Sequence, residues 1–254
     1  MILFVFEGRK REPDLFKTIQ KLFFPKDNNQ ILCSFGNNIY DLYKEVESLK
    51  INGEDYSDIV SILKRKNKKD SALANVNSSS DFSEIYLFFD YDFQEKYISI
   101  EEINVRVKEM LSLFDNETEN GKLYINYPMV ESIRYTKQLP DDDYYSYVVS
   151  RADCHNFKNL ATHFSAYSSL DFILINSKSS NMDKVKYNWD LLKLQNTKKA
   201  NYICSGNNSL PKKNDCISQQ YIFDNQLKKY VSAKDCCVAV LNAFPLFLYE
   251  YFGK

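Results

Sequence analysis

Two short acidic motifs carry the clearest chemical content of this sequence. Glu7 follows the apolar run of residues 2–6, and Asp90-Tyr91-Asp92 follows the apolar run of residues 84–89. Carboxylates brought together at one point repel each other unless a cation neutralises them. A cluster of hard oxygen donors selects Mg²⁺ or Mn²⁺ rather than zinc. Such ions polarise a phosphoryl oxygen and activate water or a hydroxyl for attack on phosphorus. Taken singly, a glutamate after a strand is commonplace, and Asp-x-Asp at a strand end more often caps or turns the chain. Both motifs together, each behind a long apolar run and in this order, favour the metal.

The elements that must position these carboxylates follow from the hydropathy pattern. Ile2–Phe6 is apolar throughout, as in a strand buried on both faces. Pro13 suits the first turn of a helix, and Leu15, Phe16, Ile19, Leu22 and Phe23 continue it at helical spacing up to Pro25. A second strand is predicted over 30–35. Ile39, Leu42, Tyr43, Val46 and Leu49 mark a second helix. Residues 64–81, a lysine-rich run followed by a Ser/Asn-rich stretch, read as a solvated loop. The third strand covers 84–89. A helix is marked by Ile103, Val107, Met110, Leu111 and Phe114, and a fourth strand covers 122–126. Alternating strands and helices predict an α/β fold with an open, mostly parallel sheet flanked by helices. Ligands of such sheets bind outside the carboxyl ends of the strands, where Glu7 and Asp90 fall.

Beyond Pro140 the pattern changes. Asp141-Asp142-Asp143 can begin a helix, and further helical runs are predicted around 155–167, 182–195, 218–231 and 235–251. The predicted organisation is therefore a catalytic α/β unit over 1–140 and a mainly helical region over 141–254. Cys236 and Cys237 fall on the last apolar run and read as core.

Bulk properties narrow the class. The chain has 254 residues, of which 44% are hydrophobic, with 19 Tyr and 18 Phe, so core material is ample. A formal net charge of -1 gives no global basic signal, so any nucleic-acid contact must come from local patches. The N-terminus has no basic leader before its short apolar run, and the stretch from Cys236 to Leu248 is too short to span a bilayer. A soluble, cytoplasmic protein with reduced thiols and no membrane partner is expected. There is no Cys-x-x-Cys zinc spacing, no Walker or dinucleotide glycine loop and no Gly-x-Ser-x-Gly elbow. His155 and His163, the only histidines, are eight residues apart, too far on a helix to chelate one ion, and read as packing or hydrogen-bonding residues.

The run ending in Glu7-Gly8, followed by Asp90-Tyr91-Asp92 behind Phe88 and Phe89, resembles the Toprim domain. That domain occurs in topoisomerases, primases, small ribonucleases and OLD-family nucleases. The fuller stretch Glu7 to Phe16, with Glu12 and Pro13, is most similar to the first motif of RloB-like bacterial defence proteins. The resemblance covers roughly residues 1–135. It implies that Glu7 is a general acid/base or metal ligand, that Asp90 and Asp92 are metal ligands, and that Glu12 adds a catalytic carboxylate. Glu131 falls where some Toprim nucleases place another acidic metal ligand. Topoisomerase-like members continue with a third Asp where this chain has Gln94, which favours the nuclease-like branch. The implied function is a Mg²⁺- or Mn²⁺-dependent nuclease hydrolysing DNA or RNA as an antiphage effector. An ATPase sensor subunit is the implied protein partner, and a homo-oligomer is compatible with the reading. A catalytically inert Toprim-fold module partnering an ATPase is the alternative. A primase or topoisomerase is disfavoured by the short chain.

Positive charge beside the acidic motif supplies candidate phosphate contacts. Arg9, Lys10 and Arg11 follow Glu7 directly and suit an anionic backbone, or else merely balance the acidic site. Lys137 is either an ordinary surface lysine or a phosphate neutraliser. Lys64, Arg65, Lys66, Lys68 and Lys69 offer a second contact or a solvated face.

Overall fold

The computed structural model describes residues 1–25, 29–66, 71–174, 179–212, 216–232 and 234–253. Its centre is a five-stranded sheet of β1 (Ile2–Phe6), β2 (Gln30–Ser34), β3 (Glu84–Asp90), β4 (Asp115–Asn116) and β5 (Gly121–Asn126). The order is β2-β1-β3-β5-β4, with only the short β4 antiparallel. The expected α/β architecture with a mostly parallel, helix-flanked sheet is what forms.

Period-two alternation divides the core into two layers. Leu3, Val5, Ile85, Leu87, Phe89, Leu123 and Ile125 face one side. There they pack on α2 (Ile39–Asn52), α3 (Ile59–Lys66), α4 (Ile100–Leu113) and α8 (Gln219–Gln226). Phe4, Phe6, Tyr86, Phe88 and Tyr124 face the other side. That side is covered by α1 (Arg11–Phe23), α7 (Ser179–Ser205) and α9 (Ala243–Phe252). Phe244 of α9 stacks on Phe88 with ring centroids 4.6 Å apart and planes 3° apart. Both layers thus draw residues from either side of Pro140.

The remaining elements are β6 (Val148–Ser150), α5 (Arg151–Cys154), α6 (Phe157–Phe164) and β7 (Cys237–Ala239). β6 and β7 pair antiparallel, and Tyr127 and Leu241 exchange backbone hydrogen bonds of 2.8 and 3.0 Å. The helical run predicted from residue 235 therefore begins as a strand, and α9 starts only after Asn242. Asn242 caps that helix by accepting from Phe244 N–H at 3.1 Å. Cys236 and Cys237 lie half-buried at that strand rather than in a helical core. The acidic triplet 141–143 leads into one short 3₁₀ turn, Tyr144–Ser146, and not a full helix. α3 was not predicted, and its last turn falls within the stretch 64–81 that was expected to be a solvated loop. His155 and His163 are both exposed. All six cysteines are free. No helix among the described residues is long and apolar enough to cross a membrane.

Candidate active site

The strand order places β1 and β3 side by side, with connections leaving to opposite sides; this is where an open parallel sheet forms its crevice. The register aligns Phe6 with Phe88 and Asp90 with Asn126, so Glu7, Asp90 and Asn126 share one carboxyl edge. Glu7 is held by its backbone, donating to Phe88 O at 3.0 Å and accepting from Gly36 N–H at 2.8 Å. Its Oε2 accepts from Asp90 N–H at 2.9 Å. Asp90 Oδ1 accepts from the Asn126 side-chain amide at 3.0 Å, and Asn126 Oδ1 in turn accepts from Ala243 N–H at 2.9 Å. Asp92 sits in a left-handed backbone (φ +45°), and its Oδ1 accepts from Gln94 Nε2 at 2.9 Å. Asp is among the residue types that tolerate this conformation best.

Glu12 reaches the same place from the first turn of α1 and is buried. Gly8 makes room for it: a Cβ there would lie 2.5 Å from Glu12 Oε2. Glu131, in the 3₁₀ turn Val130–Arg134, is only 4% exposed. Its Oε2 is buried with no hydrogen-bond partner, while its Oε1 lies 3.5 Å from Arg11 Nη2 and 3.8 Å from Lys158 Nζ.

Electrostatics bind these side chains into one unit. Burial first, then Asp90 and Asp92, raises the Glu7 carboxyl well above its ordinary range. Burial followed by Asp92, Glu12 and Glu131 does the same to Asp90. Burial pushes Asp92 up to about 6, with Glu95 adding to it and Gln94 opposing it. Glu12 is raised by burial and Glu131, against the pull of Lys158. Each shift expresses negative charge withdrawn from water and set beside more of its own sign.

The five acidic residues singled out from sequence are thus brought together, yet the basic ones are not all gathered. Arg11 belongs to the site, bonding Ser169 Oγ as well as pairing with Glu131. Arg9 lies against Gly36, where a Cβ would sit 2.8 Å from its Nε, and Lys10 is exposed at the start of α1. Lys137 holds its ammonium over the rings of Phe164 and Tyr147, at 5.4 and 5.7 Å. Arg65 pairs with Glu54 and Lys66 with Glu45, while Lys64 bonds Val76 O. Lys68 and Lys69 lie outside the described residues.

Sequence reasoning missed Asn126, Arg134, Arg151 and Lys158. Asn126 had a signal, being a polar residue closing a buried strand next to Asp90. Arg151 fixes the loop after Asp92, its Nε donating to Phe93 O at 3.0 Å and its Nη2 to Glu95 O at 2.8 Å. Arg134 anchors α6 through Lys158 O and Thr162 Oγ1, at 3.0 and 2.9 Å. No spacing in the chain announces these last two, or Lys158.

Among the described residues, no three His, Cys, Asp or Glu side chains stand together at ligand spacing. The chemistry of the set nonetheless fits Mg²⁺ or Mn²⁺. All donors are carboxylate oxygens, two carboxylates plus waters and substrate oxygens suffice for Mg²⁺, and Glu131 Oε2 is a buried acceptor without a donor. No family model matches the chain, and neither a curated protein nor a solved structure matches it.

Proposed function

We propose that this chain is a metal-dependent nuclease of the Toprim type, hydrolysing phosphodiester bonds in DNA or RNA. The observation that carries the proposal is the Glu7–Asp90 junction. A carboxylate from one strand end receives the backbone of its neighbour's acidic end, while Asp92, Glu12 and Glu131 crowd the same buried place. Uncompensated buried carboxylates are costly, and a hard cation is the partner that removes the cost.

In this reading the ion sits among Glu7, Asp90, Asp92 and Glu131, two of which serve as direct ligands while waters and substrate oxygens complete its shell. When bound, it supplies Lewis-acid polarisation of the phosphoryl group. The chain's own groups do the rest. Gln94 and Asn126 fix the rotamers of Asp92 and Asp90, so the acidic edge is organised before substrate arrives. Glu12, raised by burial, can hold a proton at its carboxyl and release it to a departing oxygen. Arg11 and Lys158 bring positive charge to the rim, where a phosphodiester backbone would be drawn. An antiphage role, an ATPase sensor partner and a cytoplasmic location belong to the same proposal and rest on the sequence resemblance.

A second reading, an inert Toprim-fold module serving an ATPase, is favoured by one observation. Glu7, Asp90 and Asp92 each already accept an internal hydrogen bond. Incubation of the protein with plasmid, single-stranded DNA and tRNA in Mg²⁺ or Mn²⁺ separates the two. Cleavage lost in both Glu7→Gln and Asp90→Asn supports the nuclease. Cleavage persisting in those variants, or absent from the wild type, overturns it.

A further inference from the structure

Glu131 stands between two unlike clusters. On one side are Glu12 and Asp90, each of which its charge makes harder to ionise. On the other are three cations, Arg11 from α1, Arg134 from the turn Val130–Arg134 and Lys158 from α6. Glu131 Oε1 lies 3.5 Å from Arg11 Nη2 and 3.8 Å from Lys158 Nζ. Arg134 stands near enough to Arg11 and Glu131 that both shift its proton affinity.

Three features make Glu131 a loose occupant of the basic group. First, its two contacts are long. A charge-assisted N–H···O bond measures about 2.7–2.9 Å, and neither Arg11 nor Lys158 comes that close. Second, Glu131 is only 4% exposed, yet its Oε2 has no hydrogen-bond partner among the described residues. A carboxylate withdrawn from water and held this loosely keeps much of its desolvation cost. Third, Arg134 is only 7% exposed and its Nε is likewise without a partner, while its Nη2 is committed to Lys158 O and Thr162 Oγ1. Two arginines and a lysine around one carboxylate oxygen suit an anion with more acceptors to offer. A phosphodiester brings a negative charge and two non-bridging oxygens, the geometry that guanidinium groups match best.

We propose that Arg11, Arg134 and Lys158 form a subsite for one backbone phosphate of a nucleic acid, and that Glu131 fills it until its carboxylate turns to a divalent cation held at Asp90. The identity of the ligand rests on the nuclease reading; the inference adds regulation, with the cation binding first and the phosphate second. Both ligands are favoured by the same departure of Glu131 from the basic group. Each therefore raises the affinity for the other, by the same factor in either direction.

The test is fluorescence anisotropy of a short labelled single-stranded DNA, first in chelator and then in Ca²⁺. Ionic strength is held constant and the pH set at about 8, where Asp92 is ionised. The wild type is expected to bind roughly tenfold more tightly in Ca²⁺, the worth of about one charge-assisted contact. Glu131→Gln is expected to show that gain already in chelator. Asp92→Asn removes the same charge from a side chain that bonds Gln94 rather than these cations, and is expected to bind in chelator as the wild type does. Lys158 is 72% exposed, so Lys158→Ala leaves the fold intact; combined with Glu131→Gln it is expected to cancel the gain. Four results overturn the proposal: no DNA binding by any form, Glu131→Gln no tighter than wild type in chelator, an equal gain in Asp92→Asn, or a gain that survives Lys158→Ala. The chelator measurements involve no cleavage, so their failure leaves the nuclease reading standing, and a failed cleavage assay leaves them intact.

Discussion

Asp92 combines a left-handed backbone with a half-buried carboxylate whose proton affinity is raised, and the two costs have the same origin. The backbone turns sharply to keep the side chain at the acidic edge, where burial and neighbouring charge oppose ionisation. The sign of the pH effect follows. A carboxyl whose folded pKa exceeds its unfolded value binds its proton more tightly in the native state. Its stabilising contribution is complete below the unfolded value near ~3.9 and is lost as pH rises through about 6. In chelator, wild-type stability relative to Asp92→Asn should therefore fall between those limits, by about 2–3 kcal/mol or several degrees in Tm. Parallel thermal melts of the two proteins from pH 4 to 7 check this; a constant difference would refute it. Asn126 makes the complementary case. Its amide donates to Asp90 and its carbonyl oxygen accepts from Ala243 N–H, all three residues being buried. Asn126→Ala strands a buried donor and a buried acceptor and should cost about 2–3 kcal/mol in urea unfolding. It should also raise the Asp90 carboxyl further, since the lost bond was one that favoured its ionised form.

At the scale of elements, α9 fixes the sheet from behind the active edge. Phe244 stacks on Phe88, and Phe247 meets Phe4, Tyr86, Phe88 and Tyr124 edge-on or tilted. Phe244→Ala removes a fully buried ring from a contact that supports β3 immediately before Asp90. It should destabilise by about 3–5 kcal/mol in chemical denaturation. α5 acts on the other side of the edge, through Arg151 and the carbonyls of Phe93 and Glu95. Arg151→Ala should leave overall stability nearly unchanged but speed amide exchange over residues 93–99, a change that mass spectrometry resolves locally. These roles mark where the sequence stops being legible. β1 and β3 were readable because five or more consecutive apolar residues ending in an acid have few other interpretations. Glu7 and Asp90 followed from them. β7 was not readable, since three apolar residues before a helix satisfy strand and helix periods equally. Lys158 and Arg151 escaped notice because a basic residue acquires meaning only through partners that the fold brings to it, Glu131 for Lys158 and the carbonyls of Phe93 and Glu95 for Arg151.

For the molecule as a whole, the change of pattern near Pro140 is real in sequence but does not coincide with a gap in the packing. The outer face of the sheet carries Phe4, Phe6, Tyr86, Phe88 and Tyr124, five large rings on one surface. α1 covers only part of it with Leu15, Phe16 and Ile19. The remainder is closed by α9 and α7, where Trp189 is fully buried and donates its indole N–H to Phe172 O at 3.0 Å. The other layer likewise draws Ile222, Phe223 and Val238 from the C-terminal part. Residues 1–140 expressed alone would expose a contiguous aromatic face far beyond what monomeric proteins tolerate in water. The expected result is an aggregating or dye-binding species without a cooperative melt, and addition of residues 141–254 as a separate chain should restore solubility and a transition. A soluble fragment of 1–140 with a sharp melt would instead establish that the acidic edge stands on an independently folding unit. The same comparison bears on the site. Asn126 draws its orientation from Ala243, so a fragment lacking α9 loses the group that orients Asp90 even where its strands persist.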